Sequence, residues 1–272
     1  MIKKREGGIT ISIVYFSKRH AAGFLLAATI LLAVCCFFHV PIMDTAGEVV
    51  SVLVAGTNKL HPIYAVDLQE KKAAFSFDAT WGSSRTPQIL QVLAKHNLKT
   101  TFFLTNIWLN SYPELAKEIV VQGHETGLHT ASHPSLPGLN DEKIRRELVE
   151  NRQKIIEVTG EKPFLFRPPF GAYNNRVITI AREENLVPVQ WSVDSLDWKN
   201  LSAEAIIQRV TQRIHPGAIV LFHNDGTNTP QALEPIIEYL KSDGYSIIPI
   251  SELIYKDNYY IDVNGIQKLK VN

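Results

Sequence analysis

The amino-acid sequence of 272 residues predicts an α/β barrel preceded by one N-terminal transmembrane helix. Two observations predict it. An uncharged apolar run at residues 21–38 follows a basic segment, as in a membrane anchor. From Lys71 onward, short apolar segments alternate with amphipathic ones, the pattern of parallel βα units. Seven or so such units in about 185 residues favour a barrel, although periodicity alone leaves an open sheet as the alternative.

The N-terminal segment has the charge pattern of a signal anchor. Five basic residues precede the apolar run, against Glu6 alone: Lys3, Lys4, Arg5, Lys18 and Arg19. Basic flanks stay in the cytoplasm, so the remainder is predicted to be exported. A cleaved signal peptide is the alternative, but no small-x-small cleavage site follows Phe38. We therefore expect a cytoplasmic segment at 1–20, a single-pass anchor in the cell membrane at 21–40 and an exported domain.

Overall composition excludes several classes of function. The chain has 28 Lys+Arg and 27 Asp+Glu, and this balance argues against a nucleic-acid partner. Hydrophobic residues make up 45% and charged residues 20%, as in an ordinary globular protein. The only cysteines, Cys35 and Cys36, lie inside the apolar run, so neither a disulfide framework nor a zinc–thiolate site is expected.

The remaining chain divides into a linker with an edge strand at 41–70, a domain at 71–256 and a polar, peripheral tail at 257–272. Strands are predicted at 73–77, 100–104, 164–167, 187–191, 218–222 and 246–249. Helices are predicted at 87–96, 114–122, 141–158, 176–184, 203–213 and 231–242. Asn140 or Asp141 would cap the third helix, and Gly160 would end it.

Polar side chains gather where the predicted strands end. They are Asp78, His129, His133, Arg167, Asp194, Asp197 and His223. The carboxyl ends of the strands of a βα barrel form one face, which carries the active site. These residues are therefore predicted to converge on one pocket.

Each residue also has a simpler explanation when it is taken alone. His129 and His133 could lie in a surface loop, because Gly127 and Pro134 bracket them. Asp194 and Asp197 could cap a helix. His124-Glu125 with His129 does not make a zinc-protease motif, since the spacing is one residue too long and Gly127 interrupts the helix. None of these explanations accounts for the shared position at strand ends.

Five segments, in this order, resemble the motifs of the polysaccharide deacetylases, the NodB homology domain proteins of carbohydrate esterase family 4. They are Phe77-Asp78, His129-x-x-x-His133, Arg167-Pro168-Pro169-Phe170, Asp194-x-x-Asp197-Trp198 and Leu221-Phe222-His223. The resemblance covers residues 71–253 and implies a deformed (β/α)7-type barrel. The first motif, residues 76–82, looks most like a sporulation-associated Bacillus subgroup with the pattern FDAxWG, and this implies the spore or forespore envelope as a location.

The resemblance implies removal of N-acetyl groups from N-acetylglucosamine or N-acetylmuramic acid units of a cell-wall glycan. A divalent metal, zinc foremost with cobalt or manganese as alternatives, would be held by His129 and His133. Asp78 matches the catalytic base, and Arg167 matches the residue that orients it. His223 matches the general acid, and Asp197 matches the carboxylate that keeps it charged.

The resemblance also assigns the walls of the pocket. The backbone N–H of Phe170 would help to bind the oxyanion. The remaining wall residues would line the acetyl pocket and position the sugar: Trp191, Trp198 and Leu221.

One departure from the family pattern affects the metal. The third metal ligand of the family is an aspartate, and Ala79 stands at that position. Since a catalytic zinc normally keeps three protein ligands, metal binding is predicted to be weakened. The alternative is a glycan-binding pseudo-deacetylase. A glycoside hydrolase, pairing Asp78 with Asp194 or Asp197, would leave the histidine pair without a role.

Overall fold

The computed structural model describes residues 59–270 and two short strands, β1 (Arg5–Glu6) and β2 (Ile9–Thr10), which pair antiparallel. Contacts divide the chain into Met1–Asn58 and Lys59–Asn272. The predicted anchor at 21–40 lies outside the described residues. Within the described part, no helix combines the length and apolar character needed to span a bilayer.

The second unit is built on one curled sheet. Its strands are β3 (Ala65–Val66), β4 (Lys72–Ala79), β5 (Thr101–Leu104), β6 (Glu125–Leu128), β7 (Leu165–Phe166), β8 (Val187–Pro188), β9 (Val193–Asp194), β10 (Ala218–His223), β11 (Ser246–Ile247), β12 (Tyr259–Ile261) and β13 (Ile266–Leu269). The order is β12-β13-β3-β10-β4-β5-β6-β7-β8, with β9 on β10 and β11 on β4. Strands β4 to β8 run parallel, and β10 lies parallel to β4.

A bridge between Ile63 and Val189 links the β8 end of this path back to the segment before β3. The sheet is therefore a deformed barrel, and the predicted α/β class is confirmed.

Helices follow most of the strands. They are α1 (Thr86–Lys95), α2 (Asn106–Ser111), α3 (Pro113–Val121), α4 (Asp141–Thr159), α5 (Asn175–Glu183), α6 (Ala203–Thr211), α7 (Thr229–Ser242) and α8 (Ile250–Leu253). The predicted ends of α4 are confirmed. Asn140 accepts the Lys143 N–H at its start, and Gly160 ends it with φ 78°.

Side chains alternate along β4 between two buried clusters. Phe75 and Phe77 belong to the cluster shared with the helices. Ala74 belongs to a second cluster inside the curled sheet, with Phe103 and Ile219. Because successive strand residues point to opposite faces, Asp78 follows Ala74 toward the interior. This alternation brings Asp78 into the barrel at the carboxyl end of β4.

Four short elements within residues 71–256 were not predicted: α2, β6, β9 and α8. Strand β6 begins at Glu125 and contains Thr126 and Gly127, so it lacks the apolar run of its neighbours. It nevertheless lies between β5 and β7 in the sheet. Backbone pairing on both sides therefore outweighs its weak strand pattern.

The predicted positions of β3 and of the C-terminal residues were wrong. β3 is no edge strand, because it pairs with β10 and with β13. Residues 257–270 do not form a peripheral tail, since β12 and β13 make a hairpin that extends the sheet. Gln267 in β13 is fully buried and hydrogen-bonds the backbone N–H and C=O of Tyr255.

Candidate active site

A buried ion pair lies at the carboxyl end of β4. Nη1 of Arg167 donates to Oδ1 of Asp78 at 2.8 Å and to Oγ of Ser76 at 2.9 Å, while Nη2 donates to the carbonyl of Gln190 at 3.0 Å. Burial would raise the pKa of Asp78, but the positive charge and hydrogen bond of Arg167 outweigh burial and lower that pKa. Asp78 is therefore held as a carboxylate. It is the second-last residue of β4 rather than a residue after the strand.

His129 presents one ring nitrogen to Asp78. Its Nδ1–H donates to the carbonyl of Arg167 at 2.8 Å, which fixes the tautomer. Nε2 is left with its lone pair, 3.5 Å from Oδ2 of Asp78. Burial lowers the pKa of His129, so the ring is neutral. A neutral imidazole whose other nitrogen is anchored to a carbonyl is the usual form of a metal ligand.

His133 stands beside His129 on a loop with unusual backbone angles. Thr130 and His133 have φ of 72° and 56°. Glu147 of α4 holds the loop by accepting the N–H and Oγ–H of Ser132 at 2.8 Å and 2.6 Å. The two imidazole centroids are 4.9 Å apart. Burial, with the neighbouring His129, lowers the pKa of His133 to about 4.

A second carboxylate–histidine pair lies at the end of β10. His223 is the last residue of that strand, and its Nδ1–H donates to Oδ1 of Asp197 at 2.7 Å. The other oxygen of Asp197 accepts the His223 N–H at 2.8 Å and the Thr229 Oγ1–H at 2.7 Å. Burial would lower the pKa of His223, but the hydrogen bond and charge of Asp197 outweigh it, so the pKa is raised.

The two pairs open onto the same cavity of about 670 Å³. Asp78, His129, His133 and His223 line it, whereas Arg167 and Asp197 lie fully buried behind it. The predicted wall residues also line it: Phe170, Trp191, Trp198 and Leu221. Asp194 completes this side, with its Oδ1 accepting the Leu196 N–H at 2.9 Å. The structure thus brings every predicted site residue to one place.

Comparison with known proteins shows which family has a similar sequence. The family model described as polysaccharide deacetylase matches residues 65–189. A peptidoglycan-N-acetylglucosamine deacetylase of Bacillus cereus is 35% identical over 196 residues, which are 70% of this chain and 92% of that protein. The chain belongs to the polysaccharide deacetylase family.

Two other relatives of this family bear on the site. YlxY of Bacillus subtilis is 35% identical over 193 residues, 71% of this chain, and the match spans 60% of the length of YlxY. The crystal structure of BA3943 from Bacillus anthracis, described as a CE4 family pseudoenzyme, superposes with a TM-score of 0.69 at 36% identity. The superposition covers 71% of this chain and 68% of that one. A BA3943 mutant is described as having restored enzymatic activity.

The donor set of this family member fits a divalent cation in part. His129 and His133 are neutral and adjacent, and Nδ1 of His133 is buried without a hydrogen-bond partner. Ala79 is fully buried and offers only a methyl group where the family has a carboxylate. Across residues 59–270, three potential ligand atoms come together only at His96, Glu234 and Glu238, away from this cavity. In the cavity, His129 and His133 are the two adjacent imidazoles that could hold a metal.

Several residues that build the site were missed from the sequence. Asn151 of α4 accepts the His129 N–H at 2.9 Å and donates to the carbonyl of Leu104 at 3.0 Å. Glu147 and Ser76 also act behind the cavity, and nothing in their local sequence indicates this. Trp81 lines the cavity and is 63% exposed. Trp81 lies two residues after Ala79, directly behind the first motif, and this position could have predicted that it lines the cavity.

Proposed function

We propose that this protein is an N-deacetylase of cell-wall glycan that hydrolyses the amide of N-acetylated sugars in peptidoglycan or a chitin-like polymer. One observation carries the proposal. A carboxylate held ionised by Arg167 and an imidazole held charged by Asp197 line the same cavity. These are the base and the acid that amide hydrolysis needs.

The residues divide the reaction as follows. Asp78 accepts a proton from the water whose oxygen bonds to the acetyl carbonyl carbon. His223 gives its proton to the sugar nitrogen as the C–N bond breaks, which leaves acetate and a free amine. His129 and His133 would hold a divalent metal, which when bound polarises the carbonyl and acidifies water. Trp191 and Leu221 line the apolar side of the cavity and would enclose the acetyl group.

A second candidate is a glycan-binding pseudoenzyme. Ala79 removes one metal ligand, and the likeness to BA3943 adds weight to this reading. Ala79 does not line the cavity, so such a protein would still bind the glycan but would not hydrolyse it.

Acetate release separates the two candidates. The full-length chain in detergent would be given chitooligosaccharide or peptidoglycan, with and without added Zn²⁺, Co²⁺ or Mn²⁺. The enzyme proposal expects metal-stimulated acetate release that Asp78→Asn and His223→Ala abolish. The pseudoenzyme expects no release with any metal, together with glycan binding that survives both substitutions.

The location of the protein is part of the proposal. The basic segment and the apolar run at 21–38 support a single-pass anchor with an exported domain, and the motif at 76–82 supports a role in sporulation. Carbonate-washed membranes should retain the protein, and external protease should digest residues 59–272. Recovery in the soluble fraction would contradict the anchor. Equal amounts of protein in growing and sporulating cells would contradict the sporulation role.

A further inference from the structure

Trp81 has the exposure of a ligand-binding residue rather than of a core aromatic. Trp81 is 63% exposed and lines the cavity, so most of its surface is not buried by the fold. Its ring centroid lies 5.0 Å from that of His133, with an angle of 71° between the planes. Phe170, 68% exposed, meets the same imidazole at 4.6 Å and 70°. Trp81, His133 and Phe170 thus form an aromatic wall.

The backbone beside Trp81 is firmly held although the indole is exposed. The carbonyl of Gly82 accepts Nε1–H of the fully buried Trp108 at 2.8 Å and Nδ2–H of Asn224 at 2.9 Å. Gly82 has φ 67°, and a Cβ there would lie 2.0 Å from Oδ2 of Asp225. Since the loop is held by these contacts and not by the indole, the ring is presented to solvent on a preorganised support.

The depth of Trp81 indicates what it contacts. The reacting groups lie deeper, since Asp78 is only 7% exposed. An indole that is mostly exposed at the rim could contact only a part of a bound polymer that lies outside the deep pocket. The apolar C–H faces of a pyranose ring suit the face of an indole.

We propose that Trp81 forms a sugar-stacking subsite for the glycan unit adjacent to the one that is deacetylated. The ligand is a pyranose ring of an N-acetylated polymer. The inference rests on the proposed function, because it presumes that the cavity takes such a glycan. It concerns a position at which this chain departs from the Gly-Pro that is usual in the family after the first motif, because Thr80-Trp81 stands there.

Calorimetric titration of the full-length chain in detergent tests the subsite. Trp81→Ala should weaken binding of chitotetraose about tenfold, and Trp81→Phe by less than about threefold, because a smaller aromatic face remains. Binding of the N-acetylglucosamine monomer should not change. Tyr239→Ala is the control, since Tyr239 is an exposed aromatic of α7 that does not line the cavity. It should bind both sugars as the unsubstituted protein does.

The outcomes distinguish this inference from the proposed function. Equal chitotetraose affinity of the unsubstituted protein and Trp81→Ala, with unchanged melting temperatures, overturns the subsite alone. Equal weakening of tetramer and monomer places Trp81 against the reacting sugar and also overturns it. Failure of the unsubstituted protein to bind any N-acetylated glycan overturns the proposed function and the subsite together.

Discussion

We expect Ala79 to limit metal binding at this site. It is the last residue of β4, is fully buried and belongs to the cluster of Phe77 and the helices. The chain bends immediately afterwards, at Thr80 and Trp81. The resemblance to the family places a metal-binding carboxylate at this position, directly after Asp78 in the sequence. The methyl group of Ala79 cannot bind a metal, so His129 and His133 have no third ligand from this position.

Ala79→Asp should raise zinc affinity by at least about a hundredfold, because even loss of an outer-shell partner changes metal affinity 10–100-fold. Zinc content per chain after dialysis, measured by mass spectrometry, checks this. Ala79→Asn is the matched control, since it has the same size and no carboxylate. Equal zinc content in Ala79→Asp and the unsubstituted protein would show that another group already fills the position.

His223 owes its charge to Asp197, so Asp197→Asn should lower the pKa of His223 and shift the alkaline limb of the pH–rate profile to lower pH. The limb moves to lower pH because a general acid works only while it is protonated, which is below its pKa. The pKa of His223 is higher in the folded protein than in the unfolded chain. The His223–Asp197 pair therefore stabilises the folded protein fully at pH values below the unfolded pKa of His223. This stabilisation is lost as the pH rises through the folded pKa. NMR titration of the His223 ring checks the prediction. An unchanged titration would contradict the role of Asp197.

At the scale of elements, α4 holds the histidine loop. Asn151 is buried one turn after Glu147, and the two side chains bind the loop at His129 and Ser132. A residue four positions along a helix lies on the same face. The helix therefore positions both histidines through polar contacts.

Asn151→Ala should lower the free energy of unfolding by about 0.5–1.5 kcal/mol, because the His129 N–H and the Leu104 carbonyl each lose one hydrogen bond and keep the one between them. Zinc affinity should fall about 10–100-fold, which a purely structural role would not require. Gln153→Ala, exposed on the same helix, is the control. Loss of stability with unchanged zinc affinity would refute the positioning role.

Elements with strong patterns were predictable, and those with weak patterns were not. α4 was found because its cap, its period and Gly160 agree. β6 was missed because four residues with one leucine carry no strand pattern, and its partners are far away in sequence. Pairing with β5 and β7 supplies the stability that its own residues do not.

At the scale of the whole molecule, the C-terminal hairpin completes the sheet. β13 covers the edge of β3, and the buried amide of Gln267 bonds both backbone groups of Tyr255. A polar sequence is held there by hydrogen bonds rather than by apolar burial.

Removal of the residues after Lys256 should therefore lower the melting temperature and promote association through the exposed edge of β3. Gln267→Ala, a milder change, should cost about 0.5–1.5 kcal/mol of unfolding free energy, because two partly buried backbone groups of Tyr255 lose their partner. Thermal unfolding followed by circular dichroism, with light scattering, checks both. An unchanged melting temperature in the truncated chain would mean that the hairpin is peripheral.

The α/β class and the family were already readable from the sequence, and so was the set of polar side chains that line one cavity. This was possible because strand and helix periods are local, and because the five motifs keep their order and residue types. The prediction that Ala79 replaces a metal ligand also came from the sequence, since that inference needs only one position in the family motif.

Tertiary structure alone decided which groups are charged and what holds them. The proton on Nδ1 of His129 depends on a carbonyl 38 residues away, and the ionised Asp78 depends on a guanidinium 89 residues away. The fixed rim position of Trp81 depends on Asn224, from the far end of the domain. Protonation states and rigidity arise from contacts between segments that are distant in the sequence. A local sequence pattern cannot predict those contacts.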